Sequence, residues 1–149
     1  MSREVFVDTS AWIAVSDIRD KYHNLARVEY NRLTSGHRTF VTTNLVIAET
    51  YIIIRRTGGH AQGMRILRSL RGSPLLQKIW SDSRSESLAE GILEKHIDQD
   101  FSFTDAVSFV VMQELGIKDA FTFDRHFATM GFQMLPLSST SKSRSSEIL

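Results

Sequence analysis

Glu4-Val5-Phe6-Val7-Asp8-Thr9-Ser10 is the stretch from which the rest of the chain can be read. Its short, unbroken apolar run, Val5-Phe6-Val7, suits a strand buried on both faces rather than one with a solvated side. Asp8-Thr9-Ser10 ends the run with residues able to cap the helix expected over Ala11 to Val15. The same strand-then-helix order recurs downstream. Leu25, Val28, Tyr30 and Leu33 mark a second expected helix, beginning near Tyr22 and stopping at Ser35-Gly36. Thr39 to Thr43 is β-branched and aromatic, an expected second strand. Asn44 is placed to cap a helix that runs to about Thr57, before Gly58-Gly59.

Beyond those glycines, His60 to Leu70 reads as a helix with Met64, Leu67 and Leu70 on one face, ended by Gly72 and Pro74. Leu75 to Trp80 is expected as a strand, and Ser83 to Lys95 as a helix with Leu88, Ile92 and Leu93 inward. Ser102 caps a helix to about Leu115, closed by Gly116, and short strands follow at Ala120 to Phe123 and Phe132 to Leu135. Strands alternating with helices from end to end imply an α/β fold. The expected architecture is three-layer α/β/α, with a mainly parallel, twisted sheet of about five short strands covered on both faces.

Composition narrows the function classes. The 149 residues suit one domain with a real core, and 42% apolar and 23% charged residues are ordinary for a soluble protein. No apolar run approaches the roughly 20 residues of a membrane span, and Met-Ser-Arg-Glu lacks the apolar stretch of a signal peptide. The chain has no cysteine, which excludes disulfides and thiolate metal sites and fits a cytoplasmic location. Net charge is only +1, so any nucleic-acid surface must come from local clustering. There is no internal repeat or linker. Residues 1–137 are expected as one domain, and the six serines within residues 138–149 leave little to bury, so a disordered tail is expected there.

Four acids lie far apart in the chain, each among residues that favour burial: Asp8, Glu49, Asp105 and Asp124. Each has a bland explanation. Asp8 can be a helix cap. Glu49 can snorkel from the edge of an apolar stripe shared with Leu45, Ile52 and Ile53, or pair with Arg55 or Arg56. Asp105 stands third after Ser102, the spacing of a capping box, and Asp124 opens a possible turn. Taken as a set they ask for one cause. Carboxylates in apolar surroundings cost several kcal/mol unless offset, and four together repel unless a hard cation lies between them. An all-oxygen site suits Mg²⁺ or Mn²⁺, the signature of metal-dependent phosphodiester cleavage.

Other carboxylate chemistries fit less well. A haloacid-dehalogenase phosphatase needs a second Asp two residues after the first, where Ser10 stands. A receiver domain needs an acceptor Asp near Thr43, which is lacking, and glycosidases need only two acids. Zinc hydrolysis would need histidines at ligand spacing, which His23, His37, His60, His96 and His126 do not show. His23 and His126 can reach a substrate phosphate, although surface or core roles suit them better.

Val7-Asp8-Thr9-Ser10, Asn44-Leu-Val-Ile-Ala-Glu49-Thr50, Phe101-Ser-Phe-Thr-Asp105-Ala-Val-Ser-Phe109 and Thr122-Phe-Asp124-Arg-His-Phe127 resemble, in order and spacing, the acidic motifs of the PIN-domain ribonucleases. Among these the chain looks most like the VapC-type toxins of toxin–antitoxin operons. The resemblance covers about residues 4 to 137. It implies a PIN fold with the acids at one end of the sheet, and hydrolysis of RNA with one or two Mg²⁺ or Mn²⁺ ions. It also implies a homodimer, and a small antitoxin whose C-terminal segment enters the active-site groove.

On that reading Asp8 and Asp105 hold the better-occupied ion, and Glu49 and Asp124 complete the site. Thr9, Ser10 and Thr104 are expected to orient the carboxylates, and Asp100 is an additional acid nearby rather than a primary ligand. Arg55, Arg56, Arg65, Arg68 and Arg71, with His60, form an acid-free stretch that can track RNA phosphates, or else face a dimer or antitoxin partner. A housekeeping RNA-processing nuclease and a non-catalytic RNA-binding or scaffold domain are the rival readings.

Overall fold

The computed structural model describes residues 3–138. All but Ser138 of the expected serine-rich tail lies outside the described residues. At the centre is the apolar run itself: Val5, Phe6 and Val7 are wholly buried in β1 (Glu4–Val7). β2 (Thr39–Thr43) and β3 (Leu76–Ile79) lie to one side of it, and β4 (Asp119–Phe121) and β5 (Gln133–Leu135) to the other. The sheet order is β3-β2-β1-β4-β5 and every pairing is parallel. Val5 stands opposite Phe40 of β2 and Asp119 of β4, and Val7 opposite Phe121.

Parallel neighbours need crossover connections, and these are right-handed in nearly all proteins. The helices α1 (Thr9–Ser16), α2 (His23–Ser35), α3 (Asn44–Gly58) and α4 (His60–Gly72) connect β1 through β3 and therefore cover one face. The connections from β3 to β5 run in the opposite direction, so α5 (Ser83–Lys95), α6 (Phe103–Leu115) and α7 (His126–Thr129) cover the other. Direct packing of α1 on α2 and α3, of α3 on α4, and of α5 on α6 agrees with this layering. The result is the expected three-layer α/β/α fold. No helix among the described residues is long and apolar enough to cross a membrane.

The two faces are filled differently. Beneath α6 and α7 lies an aromatic cluster in which Phe127 stacks with Phe6 at 6.2 Å and meets Phe109 edge-on at 5.0 Å. Phe101 meets Phe109 edge-on at 5.1 Å. On the opposite face the Trp12 ring packs edge-on against Phe40. α3 and α4 approach closely at Gly63, where a Cβ would come within 3.0 Å of the Arg55 Cβ.

Several expected faces are rotated or trimmed. α2 buries Ala26, Glu29 and Leu33, a stripe at helical spacing, whereas Leu25 and Val28 are 57% and 69% exposed. Sequence hydropathy favoured the wrong stripe because Glu29 is buried as an ion pair with Arg32. α3 buries Val46, Ile47, Thr50 and Ile54, which leaves Leu45, Glu49 and Ile53 half-buried on the flank and Ile52 outside. Its cap is Thr43, whose Oγ1 accepts from the Val46 amide, while Asn44 bonds Ser81 beyond β3. Leu88 of α5 points outward because Ser85 and Ala89 form the close contact, with Ile92 and Leu93 behind them. On α4 it is Ile66 and Leu67, with Leu70, that reach the core rather than Met64. Leu75, Trp80, Thr122, Phe123 and Phe132 fall outside their expected strands, and α7 is a helix the periodicity did not predict.

The aromatic cluster packs directly under α6 and α7. Phe109→Ala should destabilise the fold by about 3–5 kcal/mol in urea unfolding, the cost of a large cavity. A loss below about 1 kcal/mol would show that this face is loosely packed.

Candidate active site

The sheet changes direction at β1: the chain first builds outward through β2 and β3 on one side, then crosses over to β4 and β5 on the other. In parallel α/β sheets the crevice at such a point, beyond the strand carboxyl ends, is where ligands bind. Asp8 directly follows β1, and Thr122-Phe123-Asp124 follows β4. The Asp8 amide donates to the Phe121 carbonyl at 3.1 Å, so pairing of the two strands continues right up to the acids.

Asp8 occupies the N-cap position of α1 but its side chain does not cap the helix. Its Oδ2 instead accepts from Ser10 Oγ at 3.1 Å and from Thr122 Oγ1 at 3.0 Å. Each hydroxyl has one proton, and both are committed to Asp8. Each in turn accepts a backbone amide, Phe123 N–H on Ser10 and Asp124 N–H on Thr122. Four bonds thus tie the first strand's carboxylate to the loop that carries Asp124.

Asp105 caps its helix and at the same time faces His126. Ser102 Oγ accepts from the Asp105 amide, and Asp105 Oδ2 accepts from the Ser102 amide, each at 3.0 Å. The same Oδ2 lies 3.3 Å from His126 Nδ1, which is also 3.3 Å from Asp124 Oδ1. Nδ1 is thus bracketed by a carboxylate oxygen on either side. Asp124 is held further by the His126 amide at 2.9 Å. The imidazole itself is fixed by the edge of Phe101, centroid to centroid 5.1 Å.

Asp8 and Asp105 are out of solvent, 3% and 7% exposed, whereas the Asp124 and His126 side chains remain half-buried. Burial pushes the Asp8 carboxyl up to about 7, and the nearby charge of Asp105 and, more weakly, Asp124 pushes the same way against the Thr9 amide and the Thr122 hydroxyl. Asp105 is also raised, first by burial and then by Asp124, against the opposing bonds from Ser102 and His126. Ligand atoms of Asp105, Asp124 and His126 lie within 4.8 Å of one another. Asp8 stands outside that close group but near enough to feel the charge of both Asp105 and Asp124, and acids raised by burial and by like charge call for positive charge. Oxygens predominate and sulfur is absent, which suits a hard divalent cation. Thr9 Oγ1, buried next to Asp8, is also the only buried side-chain polar atom without a partner among the described residues.

The other expected site residues are dispersed. Glu49 is half-buried on α3, outside the close group of Asp105, Asp124 and His126. The Thr104 carbonyl accepts from Ser108 Oγ within α6, a helical role. Asp100 is exposed in the segment before α6, and His23 is tied to the Ala14 carbonyl. Arg55, Arg56, Arg65, Arg68 and Arg71 are all exposed on α3 and α4. Two residues gain a part that sequence reasoning did not give them. Thr122, a wholly buried hydroxyl two positions before Asp124 at a strand end, was the available signal for the first. For His126 the signal was its place two residues after an acid, against which the better guess was a core or surface role.

A family model described as PIN domain matches residues 5–133. The 23S rRNA-specific endonuclease VapC20 of Mycobacterium tuberculosis, in strains CDC 1551 / Oshkosh and H37Rv, is 33% identical over 129 residues, spanning 86% of this chain and 95% of the relative. A crystal structure of M. tuberculosis VapC20, described as a Sarcin-Ricin loop cleaving toxin, superposes with a TM-score of 0.80 at 31% identity. It too covers 86% of this chain and 95% of its own.

The raised Asp8 pKa has a consequence for stability without metal. Its folded value of about 7 lies above the ordinary 3.8, so the folded protein binds that proton more tightly than the unfolded chain does. The resulting stabilisation is complete below about pH 4 and disappears as pH rises through about 7. In EDTA, thermal melts should therefore fall across pH 4–7 by the equivalent of roughly 4 kcal/mol, and Asp8→Asn should flatten the profile and melt higher at pH 8. A wild-type profile that is flat or rises over that window would contradict the arrangement.

Proposed function

This chain belongs to the PIN-domain family, and on that footing we propose that it is a metal-dependent endoribonuclease, the toxin of a type II toxin–antitoxin pair. The observation that carries the reading is the convergence of Asp8, Asp105 and Asp124 at the sheet's switch point, with two carboxyls raised. The relatives named above, an rRNA endonuclease and a toxin, support RNA as the substrate class.

In this reading Asp8, Asp105 and Asp124 hold Mg²⁺ or Mn²⁺, as one ion or two. Glu49 serves as an outer ligand, because its half-exposed side chain can change rotamer without disturbing the core and α3 touches α6. When bound, a divalent cation neutralises charge on the phosphate and acidifies a water for attack. The chain's own residues do the positioning. Ser10 and Thr122 fix the plane of the Asp8 carboxylate. His126 keeps Asp105 and Asp124 together, and Ser102 fixes the rotamer of Asp105. Arg55, Arg56, Arg65 and Arg68 supply sequence-independent phosphate contacts along α3 and α4.

We assign the inhibitory partner to a small antitoxin that offers an Arg or Lys to the acidic cluster, since a guanidinium fork matches paired carboxylates. The active form is a homodimer in the cytoplasm, and residues 1–137 are its catalytic domain.

Purified protein should cut RNA in Mg²⁺ or Mn²⁺, stop in EDTA, and leave 5′-phosphate and 3′-hydroxyl ends. Asp105→Asn keeps a side-chain oxygen for the Ser102 amide but loses the charge, so it should fold normally and cleave below detection. Cyclic 2′,3′-phosphate products, or retained activity in Asp105→Asn, would overturn the reading.

A further inference from the structure

A groove of about 530 Å³ opens beside the acids, sharing Ser10, Asp124 and His126 with the cluster. That volume is within the roughly 300–1,000 Å³ of small-ligand sites. Its remaining walls come from Ile13, from Asp20-Lys21-Tyr22 before α2, and from Phe123 and Arg125 after β4. Two aromatic rings from these separate loops, Tyr22 and Phe123, stack face to face with centroids 4.5 Å apart and planes only 2° from parallel. Phe123 is braced behind by the edge of the buried Phe121. Tyr22 is braced through its own amide, which donates to Asp20 Oδ1 at 2.8 Å. The Lys21 ammonium lies over the Tyr22 ring, 4.9 Å from its centroid.

Metal coordination uses none of Tyr22, Phe123, Lys21 or Arg125, yet they meet within one groove at the edge of the acids. An aromatic platform with cations beside it is the recurring means of holding single-stranded nucleic acid, because every base has a π-face. We propose that this groove is the subsite for the nucleotide flanking the scissile phosphodiester, with its base stacked on Tyr22 and its phosphate taken by Lys21 and Arg125. The inference rests on the ribonuclease reading and adds the residues that grip the substrate.

Two interactions compete for the open face of Tyr22. An exposed cation–π contact is the weaker of them. A base–aromatic stack is worth about 5- to 150-fold in affinity, so an arriving base displaces the ammonium. Lys21, on a flexible stem, is then released beside the nucleotide's own phosphate. Asp20, Asp124 and His126 complete the charged lining. Asp20 and Asp124 each accept a backbone amide of their own turn, which holds both carboxylates in place.

The test titrates full-length protein, in EDTA to prevent cleavage, into single-stranded hexaribonucleotides carrying 2-aminopurine at each position in turn. The expected result is fluorescence quenching at one position, lost in Tyr22→Leu with affinity at least about 5-fold weaker, and restored in Tyr22→Phe. Unchanged quenching and affinity in Tyr22→Leu would overturn the subsite. Should Tyr22→Leu fail to fold, the exposed Lys21→Ala reads the same proposal. It should lower the slope of log affinity against log salt by about 0.7, and an unchanged slope would overturn it. Wild type that cleaves RNA while these variants bind like wild type removes only this inference. Wild type that neither binds nor cleaves RNA removes the ribonuclease reading with it.

Discussion

The repulsion among Asp8, Asp105 and Asp124, two of them buried and the third half-buried at the crevice mouth, is the constraint around which the rest of the molecule is arranged. A buried carboxylate is costly, and neighbouring ones add to the cost. Asp8 takes the largest share because it ends the central strand, where burial is complete on both faces of the sheet. Among the described residues no arginine forms an ion pair with the cluster. The fold supplies uncharged donors, Ser10 and Thr122, and one imidazole, His126. Such partners fix geometry while leaving the negative charge for something that binds. Stability is thereby given up at the place where function needs it.

The supports for the cluster come from elements that are otherwise ordinary. α6 is held at its start by the reciprocal Ser102–Asp105 cap, and the capping carboxylate is the one presented to the site. His126 opens α7, whose next residue, Phe127, is wholly buried against Phe6 and Phe109. The aromatic core therefore sets the position of the histidine that joins two acids. From the other side, Ser10 and Thr122 connect α1 to the end of β4, so the loops that carry Asp8 and Asp124 cannot separate without breaking several bonds.

Much of this was legible in the chain itself. Uninterrupted runs such as Val5-Phe6-Val7, alternating with capped helices, sufficed for the parallel sheet and its layers. Asp8, Asp105 and Asp124 were legible because acids at the carboxyl ends of apolar strands and at helix starts are out of place unless they share a cause. Helix faces were less so. α2 buries Glu29 in preference to Leu25 and Val28, a choice made by its ion pair with Arg32 that hydropathy does not register. In the sequence Glu49 shares an apolar stripe with Leu45, Ile52 and Ile53. The packed stripe of α3 is the adjacent one, through Val46, Ile47, Thr50 and Ile54, and this leaves Glu49 on the flank. His126 and Thr122 depend on a long-range meeting of β1, α6 and the loop after β4, which no local pattern encodes.

Calorimetric titration of Mn²⁺ into metal-free protein at pH 7 asks whether a divalent cation completes the site formed by the acids. Repeated in buffers of different ionisation enthalpy, the titration also counts protons. Because burial pushes the Asp8 carboxyl up to about 7 without metal and it must be ionised to act as a ligand, the expected result is saturable binding with release of a substantial fraction of a proton, and loss of that binding in Asp105→Asn. Absence of saturable binding, or binding of equal strength in Asp105→Asn with no proton released, would contradict it.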